Sequence, residues 1–163
     1  MFSFAVYKVE QMNTITTKQY LPLSIEKAWD FFSNPRNLNL ITPHYMRFKI
    51  LNENLPEKIY PGLVVQYTVS PVMGIPMGWV TLITHSSEKE MFIDSQISGP
   101  YRIWHHQHHF RATGSGVEMT DILHYQLYGG VFGKLLNALF VARKVKSIFD
   151  YRKQKLEELF PIK

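Results

Sequence analysis

Residues 130–160 read GVFGKLLNALFVARKVKSIFDYRKQKLEELF, and their apolar side chains recur at the i, i+3, i+4 spacing of an amphipathic helix. A helix of about 30 residues would be about 45 Å long, which exceeds the usual helix length in globular proteins. The apolar stripe of such a helix has to be covered by another part of the chain. The strand-rich segment that precedes it is large enough to serve as that partner.

The segment before residue 130 predicts strands separated by short turns. NTITTKQYL (13–21) alternates in the way typical of a strand, and Pro22 ends it. Ser24 is a candidate N-cap for a short helix that runs to Phe32, and PRNLNLI (35–41) predicts a second short helical turn. Six further strands are predicted at 48–51, 63–69, 79–85, 91–98, 101–111 and 117–128. Because their connections are short, neighbouring strands should be antiparallel.

The composition limits the classes of protein to be considered. The 163 residues include 18 Lys and Arg against 13 Asp and Glu, and they contain no cysteine, which excludes disulfides and thiolate chemistry. We expect a cytoplasmic protein without a transmembrane segment, since no run of about 18 uncharged apolar residues occurs. The basic residues near the C-terminus predict a solvated helix face rather than a nucleic-acid surface; they are Arg143, Lys144, Lys146, Arg152, Lys153 and Lys155.

The length suits one domain with one core. The regular pattern begins just after Met12, so one domain is expected over residues 13–163. Residues 1–12 are interpreted as an N-terminal extension, either an additional edge strand or a loose tail. The oligomeric state is left open.

Two consecutive predicted strands bring polar groups to one face of the sheet. Alternation along the first of them groups Trp104, His106, His108 and Phe110. The aromatic residues at both ends indicate that this face points inward, which leaves His105 and His109 towards solvent. The more apolar face of the following strand holds Met119, Asp121, Leu123, Tyr125 and Leu127. Paired strands would therefore collect two imidazoles, a carboxylate and a phenol in one place, although the sequence does not give their register.

Three interpretations of this polar group remain open. It is a satisfied hydrogen-bond network inside an apolar core, with Asp121 orienting a histidine. Alternatively, it holds the polar end of a ligand whose apolar body lies among aromatic side chains. In the third interpretation, His106 or His108 acts as a general base oriented by Asp121, as in a cyclase or dehydratase. A metal site of His106, His108 and Asp121 is not predicted, because an i, i+2 histidine pair arises in any histidine-rich strand. No cofactor is predicted.

Five stretches of the chain resemble one known superfamily. They are LPLSIEKAWDFFSNPRNLNLITP (21–43), YPGLVVQY (60–67), GPYRIWHHQHHF (99–110), MTDILHYQL (119–127) and GKLLNALFVARKVKSIFDYR (133–152). With the order of elements, they resemble the SRPBCC (START/Bet v 1-like) superfamily. The resemblance is greatest to its bacterial ligand-binding members, which are also described as polyketide cyclase/dehydrase-like.

The resemblance implies an α+β helix-grip fold. In that fold a seven-stranded curved antiparallel sheet wraps around a long C-terminal helix, two short helices follow the first strand, and a cavity lies between sheet and helix. It implies a hydrophobic small molecule or lipid as ligand, because the family binds such molecules and only some of its members are enzymes. An interaction module that contacts a partner or a membrane through the basic C-terminal helix is a further alternative. The predicted ligand-binding residues are Trp29, Phe32, Trp79, Trp104, His106, His108, Phe110, Asp121, Tyr125 and Leu136.

Overall fold

The computed structural model describes residues 12–71 and 74–162, so the predicted N-terminal extension lies outside the described residues except for Met12. The strands are β1 (Asn13–Leu21), β2 (Lys49–Ile50), β3 (Val64–Val69), β4 (Met77–Ser87), β5 (Met91–Ser98), β6 (Tyr101–Ala112) and β7 (Val117–Leu127). The α-helices are α1 (Ile25–Phe32), α2 (Gly130–Leu136) and α3 (Ala142–Leu159). Two 3₁₀ helices, Pro35–Ile41 and His44–Met46, follow α1.

The seven strands form one antiparallel sheet in the order β1-β7-β6-β5-β4-β3-β2. Strand β1 returns from the start of the chain to pair with β7 along its whole length, from Asn13 opposite Tyr125 to Leu21 opposite Val117. The β4–β5 ladder shifts register at two places and the β6–β7 ladder at one. Such irregularities bend a sheet and increase its twist, which suits a sheet that wraps around a helix. The predicted fold is confirmed.

The two short helices after β1 begin at side-chain caps. The Ser24 hydroxyl accepts a hydrogen bond from the backbone N–H of Lys27 at 3.4 Å. The Asn34 side-chain oxygen accepts one from the N–H of Arg36 at 3.0 Å. Each cap satisfies a backbone donor that the first turn of a helix leaves unpaired. Residues Pro35–Ile41 form a 3₁₀ helix where the sequence predicted a helical turn.

The C-terminal helical segment is not one regular α-helix. Helix α2 and helix α3 are joined by a π-helical stretch, Asn137–Val141. A π stretch has i→i+5 hydrogen bonds, so it changes which side chains share a face before and after it. The prediction of a single regular stripe over residues 130–160 is therefore wrong for α2, where Phe132, Leu135 and Leu136 are exposed.

Helix α3 is anchored along one side of the sheet. Its residues Val145 and Phe149 pack with Leu123 and Tyr125 of β7. Farther along, Leu156 joins the cluster of buried residues that includes Trp29 of α1. Full burial of each such apolar side chain is worth about 1.5–3 kcal/mol. A separate apolar cluster lies on β3 and β4, and Ile148 is the α3 residue that packs against it. Among the described residues, no helix combines the length and apolar character needed to cross a membrane.

The turn between β6 and β7 packs closely against the end of β1, and this contact can be tested. A Cβ added at Gly116 would lie 2.3 Å from the backbone oxygen of Leu21, whereas one at Gly114 meets nothing within 4 Å. We predict that Gly116→Ala lowers the free energy of unfolding by about 1–3 kcal/mol, because the backbone of β1 would have to move. The control Gly114→Ala, in the same turn, should leave stability within about 1 kcal/mol of the original. Urea unfolding followed by circular dichroism measures both; equal effects would contradict the packing described.

Candidate functional site

A cavity of about 570 Å³ lies between the sheet, the 3₁₀ helices and α3. Its volume falls within the range of about 300–1,000 Å³ that is typical of small-molecule sites. Most of its wall is aromatic or aliphatic, and that part includes Phe32, Ile41, Phe48, Val65, Tyr67, Trp79, Ile83, Phe92, Tyr101, Trp104, Ile148 and Phe149. Phe140, which is 65% exposed, also lines it, so the cavity reaches the surface beside the π-helical stretch.

The aromatic part of the wall is held together by ring contacts. The Trp79 ring stacks on Tyr67 with centroids 5.8 Å apart and meets the edge of Trp104 at 5.1 Å. The Thr81 hydroxyl bonds both the Tyr67 hydroxyl, at 2.9 Å, and the Trp79 Nε1–H, at 3.1 Å. Because these polar atoms are already paired, the rings present apolar surface to the cavity.

A second part of the wall is strongly polar and consists of Asp94, His106, His108 and Arg152. Strand register brings the first three together: Asp94 of β5 lies opposite His106 of β6, and His108 lies opposite Asp121 of β7. The side chains of these three residues and of Asp121 lie on the inward face of the sheet. Arg152 reaches them from α3. Asp121 lies behind the two imidazoles and does not line the cavity.

The two histidines lie between the two carboxylates. His106 Nε2 donates to Asp121 Oδ1 at 3.0 Å, and His108 Nε2 donates to Asp94 Oδ2 at 2.8 Å. His106 Nδ1 is 3.6 Å from Asp94 Oδ2, and His108 Nδ1 is 2.7 Å from Asp121 Oδ1. That last contact is short, but its direction does not meet hydrogen-bond geometry, so His108 Nδ1 has no hydrogen bond among the described residues. Arg152 Nη1 lies 3.6 Å from Asp121 Oδ1.

The charges in this cluster balance one another. Burial opposes charge on Asp121, but the Arg152 guanidinium, the hydrogen bond from His106 and the close His108 imidazole outweigh it and hold the Asp121 pKa well below its usual value. Burial also opposes charge on Asp94, and the contacts with His108 and His106 lower its pKa. Burial lowers the pKa of His106, whereas the two carboxylates outweigh burial at His108 and raise its pKa. The two carboxylates thus face the Arg152 guanidinium and two imidazoles, of which His108 is the more readily protonated.

The ten residues predicted to bind a ligand divide into two groups. Those that line the cavity are Phe32, Trp79, Trp104, His106 and His108. Those that do not line it are Trp29, Phe110, Asp121, Tyr125 and Leu136. Trp29 and Phe110 pack edge to face at 5.9 Å in the core beneath α1, and Tyr125 is buried beside Trp104. Leu136 is half exposed on α2, because the π-helical stretch places α2 outside the cavity wall.

Two residues of the polar cluster were not among the predicted site residues. Asp94 follows Phe92 by two positions and so shares its inward face. The alternation of residues on β5 could therefore have predicted an inward-facing Asp94. Arg152 was grouped with solvated bases, and that interpretation is wrong: its side chain is 13% exposed and faces Asp121. It lies three residues after Phe149 and four before Leu156, and so continues the buried stripe of α3. His105 and His109 lie on the opposite face, where His105 Nδ1 contacts Ser95 Oγ at 3.1 Å.

Arg152 should be needed to keep Asp121 charged inside the protein. We predict that Arg152→Met lowers the free energy of unfolding by about 1–3 kcal/mol, since it leaves a buried carboxylate without its cation. The exposed neighbour provides the control, and Lys153→Met should change stability by less than about 0.5 kcal/mol. Urea unfolding of both variants, with Asp121→Asn and the Asp121→Asn/Arg152→Met double variant, completes a cycle. Strictly additive losses would show that the two side chains do not interact.

Comparisons with known proteins support the fold at low sequence identity. No family model matches the sequence, and no curated protein matches it. Among solved structures, protein CV1439 from Chromobacterium violaceum is similar with a TM-score of 0.69 and 12% identity, over 93% of this chain and 99% of that one. The ginseng major latex-like protein 151 from Panax ginseng has a TM-score of 0.63 and 10% identity, over 93% and 99% of the two chains. Ara h 8.0201 has a TM-score of 0.63 and 13% identity, over 91% and 99%.

These similarities show the fold alone. The chain has the Bet v 1-like helix-grip fold, an antiparallel sheet of seven strands around a long C-terminal helical segment. Fold does not determine ligand or reaction, so the function has to be argued from the cavity and its wall.

Proposed function

We propose that this protein binds a hydrophobic small molecule or lipid in the cavity between the sheet and α3. The observation that carries this proposal is the 570 Å³ cavity with a mainly apolar wall and one compact polar cluster. Transfer of apolar ligand surface into such a cavity contributes about 25 cal/mol per Å². A polar group on the ligand would be oriented by the exposed edges of Asp94, His106, His108 and Arg152.

The polyketide cyclase-like subgroup is the finer assignment that we carry forward from the sequence. In its favour, both His106 and His108 line the cavity, and each lies within 3.0 Å of a carboxylate oxygen. Burial lowers the pKa of His106 and so favours its neutral imidazole, which is suited to accept a proton from a bound substrate. The cyclase or dehydratase alternative differs from simple binding only in requiring turnover, so it concerns the same cavity and the same residues.

Occupancy of the cavity by a bulky side chain should prevent ligand uptake. Ile148 lines the cavity from α3, whereas its neighbour Ser147 is exposed. We predict that Ile148→Trp weakens binding of the apolar dye Nile red about tenfold or more, since about 1.4 kcal/mol of lost contact is a factor of ten. The matched control Ser147→Trp adds the same side chain outside the cavity and should bind the dye like the original protein.

Circular dichroism would first establish that both variants are folded. Equal dye binding by the two tryptophan variants, at the affinity of the original protein, would contradict an internal site. Mass spectrometry of an organic extract from the purified protein would then identify any hydrophobic molecule that it carries.

A second candidate function is docking to an anionic membrane surface, and the exposed apolar residues of α2 favour it. Phe132 is 82% exposed, and Val131, Leu135 and Leu136 are exposed beside it. From Tyr128 to Phe149 the sequence contains four basic residues and no acidic one; the bases are Lys134, Arg143, Lys144 and Lys146. Apolar side chains flanked by bases are typical of helices that lie in the interface of an anionic bilayer. The surface adjoins the end of the cavity at Phe140.

The basic face of α3 is a weaker docking surface than the sequence indicated. Lys146 is paired with Asp150 at 2.7 Å, and Lys155 with Glu158 at 2.7 Å. Lys144 lies 3.7 Å from the centre of the Tyr45 ring, a cation–π contact. The apolar surface of α2 is therefore the part of this candidate that we test.

Vesicle binding distinguishes a docking surface from an inert exposed patch. We predict that the protein co-sediments with phosphatidylcholine–phosphatidylserine vesicles at low salt, and that Phe132→Asp/Leu135→Asp weakens this at least about tenfold, as expected for loss of two inserted apolar side chains. The control is Ile97→Asp, which changes an exposed isoleucine on β5. No co-sedimentation of the original protein, or an equal loss in the control, would exclude membrane docking through α2.

A further inference from the structure

We propose that Asp94, His106 and His108 form a binding site for one divalent first-row transition-metal ion, such as Zn²⁺ or Fe²⁺, in the wall of the cavity. One donor atom from each of the three residues lies within 4.8 Å of the other two. The side chains come from neighbouring strands, so the sheet itself fixes their spacing. Two imidazoles and one carboxylate are a ligand set that such ions accept, and binding would release to solvent the proton that His108 Nε2 donates to Asp94.

The distances between the donor atoms suit a shared ion. Asp94 Oδ2 is 2.8 Å from His108 Nε2 and 3.6 Å from His106 Nδ1. Donors that bind one ion at about 2.0–2.2 Å are separated from each other by about 3.0–3.5 Å in tetrahedral or octahedral geometry. A donor nitrogen of each histidine lies within 4.8 Å of the other, so rotation of the two rings would have to close this remaining separation on binding.

Asp121 occupies the position of an outer-shell carboxylate. Its Oδ1 is 3.0 Å from His106 Nε2 and 2.7 Å from His108 Nδ1, on the far side of both rings from Asp94. The carboxylate accepts the proton of His106 Nε2, and in the metal-bound form it would accept that of His108 Nδ1 as well, so that the other nitrogen of each ring is directed towards the ion. His108 Nδ1, which is buried without a well-directed hydrogen bond among the described residues, would acquire this defined role.

The position of the set in the wall explains where further ligands would bind. Asp94, His106 and His108 all line the cavity, whereas Asp121 does not. Three protein donors on one side leave the remaining coordination positions directed into the cavity, as in sites that bind a metal through two histidines and one carboxylate. Asp94 would supply one negative charge directly to the ion, while the charge of Asp121 behind the rings is already compensated by Arg152. An oxygen donor on a molecule held in the cavity would complete the coordination.

Cobalt titration tests the site directly on the full-length protein. After dialysis against EDTA, Co²⁺ should bind with one equivalent per chain and give visible absorption bands, and Zn²⁺ should displace it. Asp94→Asn keeps the size of the side chain and removes the anionic ligand, so we expect affinity to fall at least about tenfold. The control His105→Gln removes a histidine from the outer face of the same strand and should leave affinity unchanged.

A second measurement uses only the original protein, so it does not depend on whether the variants fold. Imidazole ¹⁵N resonances of His106 and His108 should shift when Zn²⁺ is added to the original protein, while those of His105 and His109 stay in place. Absence of one-equivalent binding would overturn the proposal. It would also be overturned if binding survives Asp94→Asn, or if only the outer-face histidines respond. Nile red uptake by the metal-free protein is independent of these results, so the cavity and the metal site are tested separately.

Discussion

The one-sided anchoring of α3 is the constraint on which the rest of the structure depends. The helix packs Val145 and Phe149 against β7, and Leu156 against the cluster beneath α1. The β3–β4 part of the bent sheet carries its own apolar cluster, and the cavity lies between that part and the helix. Because the helix packs closely on β7 and meets the β3–β4 cluster only through Ile148, space remains between the two on that side.

The polar cluster follows from the same arrangement. Because α3 lies close to β7, Arg152 reaches Asp121 and compensates its charge inside the protein. That compensation allows Asp121 to remain ionised behind His106 and His108. The imidazole rings of these two histidines line the cavity on the side away from Asp121. A buried group of this kind costs desolvation, which its internal ion pairs have to offset. Its position in the wall of an apolar cavity is the reason for our proposals that it orients a ligand or holds a metal ion.

The sequence was sufficient for the architecture and for part of the site. Period-two alternation correctly placed His106, His108 and Asp121 on inward faces, because each strand has one face against the core. It did not give the register that makes Asp94 a neighbour of His106, since β5 carries polar residues on both faces. The prediction that Leu136 lines the cavity assumed one regular helix, and the π-helical stretch shows that the helical segment is not regular. The cavity volume depends on how far α3 stands from β3 and β4, which no local pattern in the sequence encodes.

Xenon binding in a crystal is the most direct measurement of whether the apolar space between α3 and the sheet exists. Xenon enters apolar cavities and is located by its anomalous scattering. We predict xenon peaks inside the protein, beside Trp79, Ile83 and Ile148, which line the cavity from the sheet and from α3. A crystal structure without xenon there, in which side chains of α3 pack directly on β3 and β4, would contradict a ligand-binding cavity.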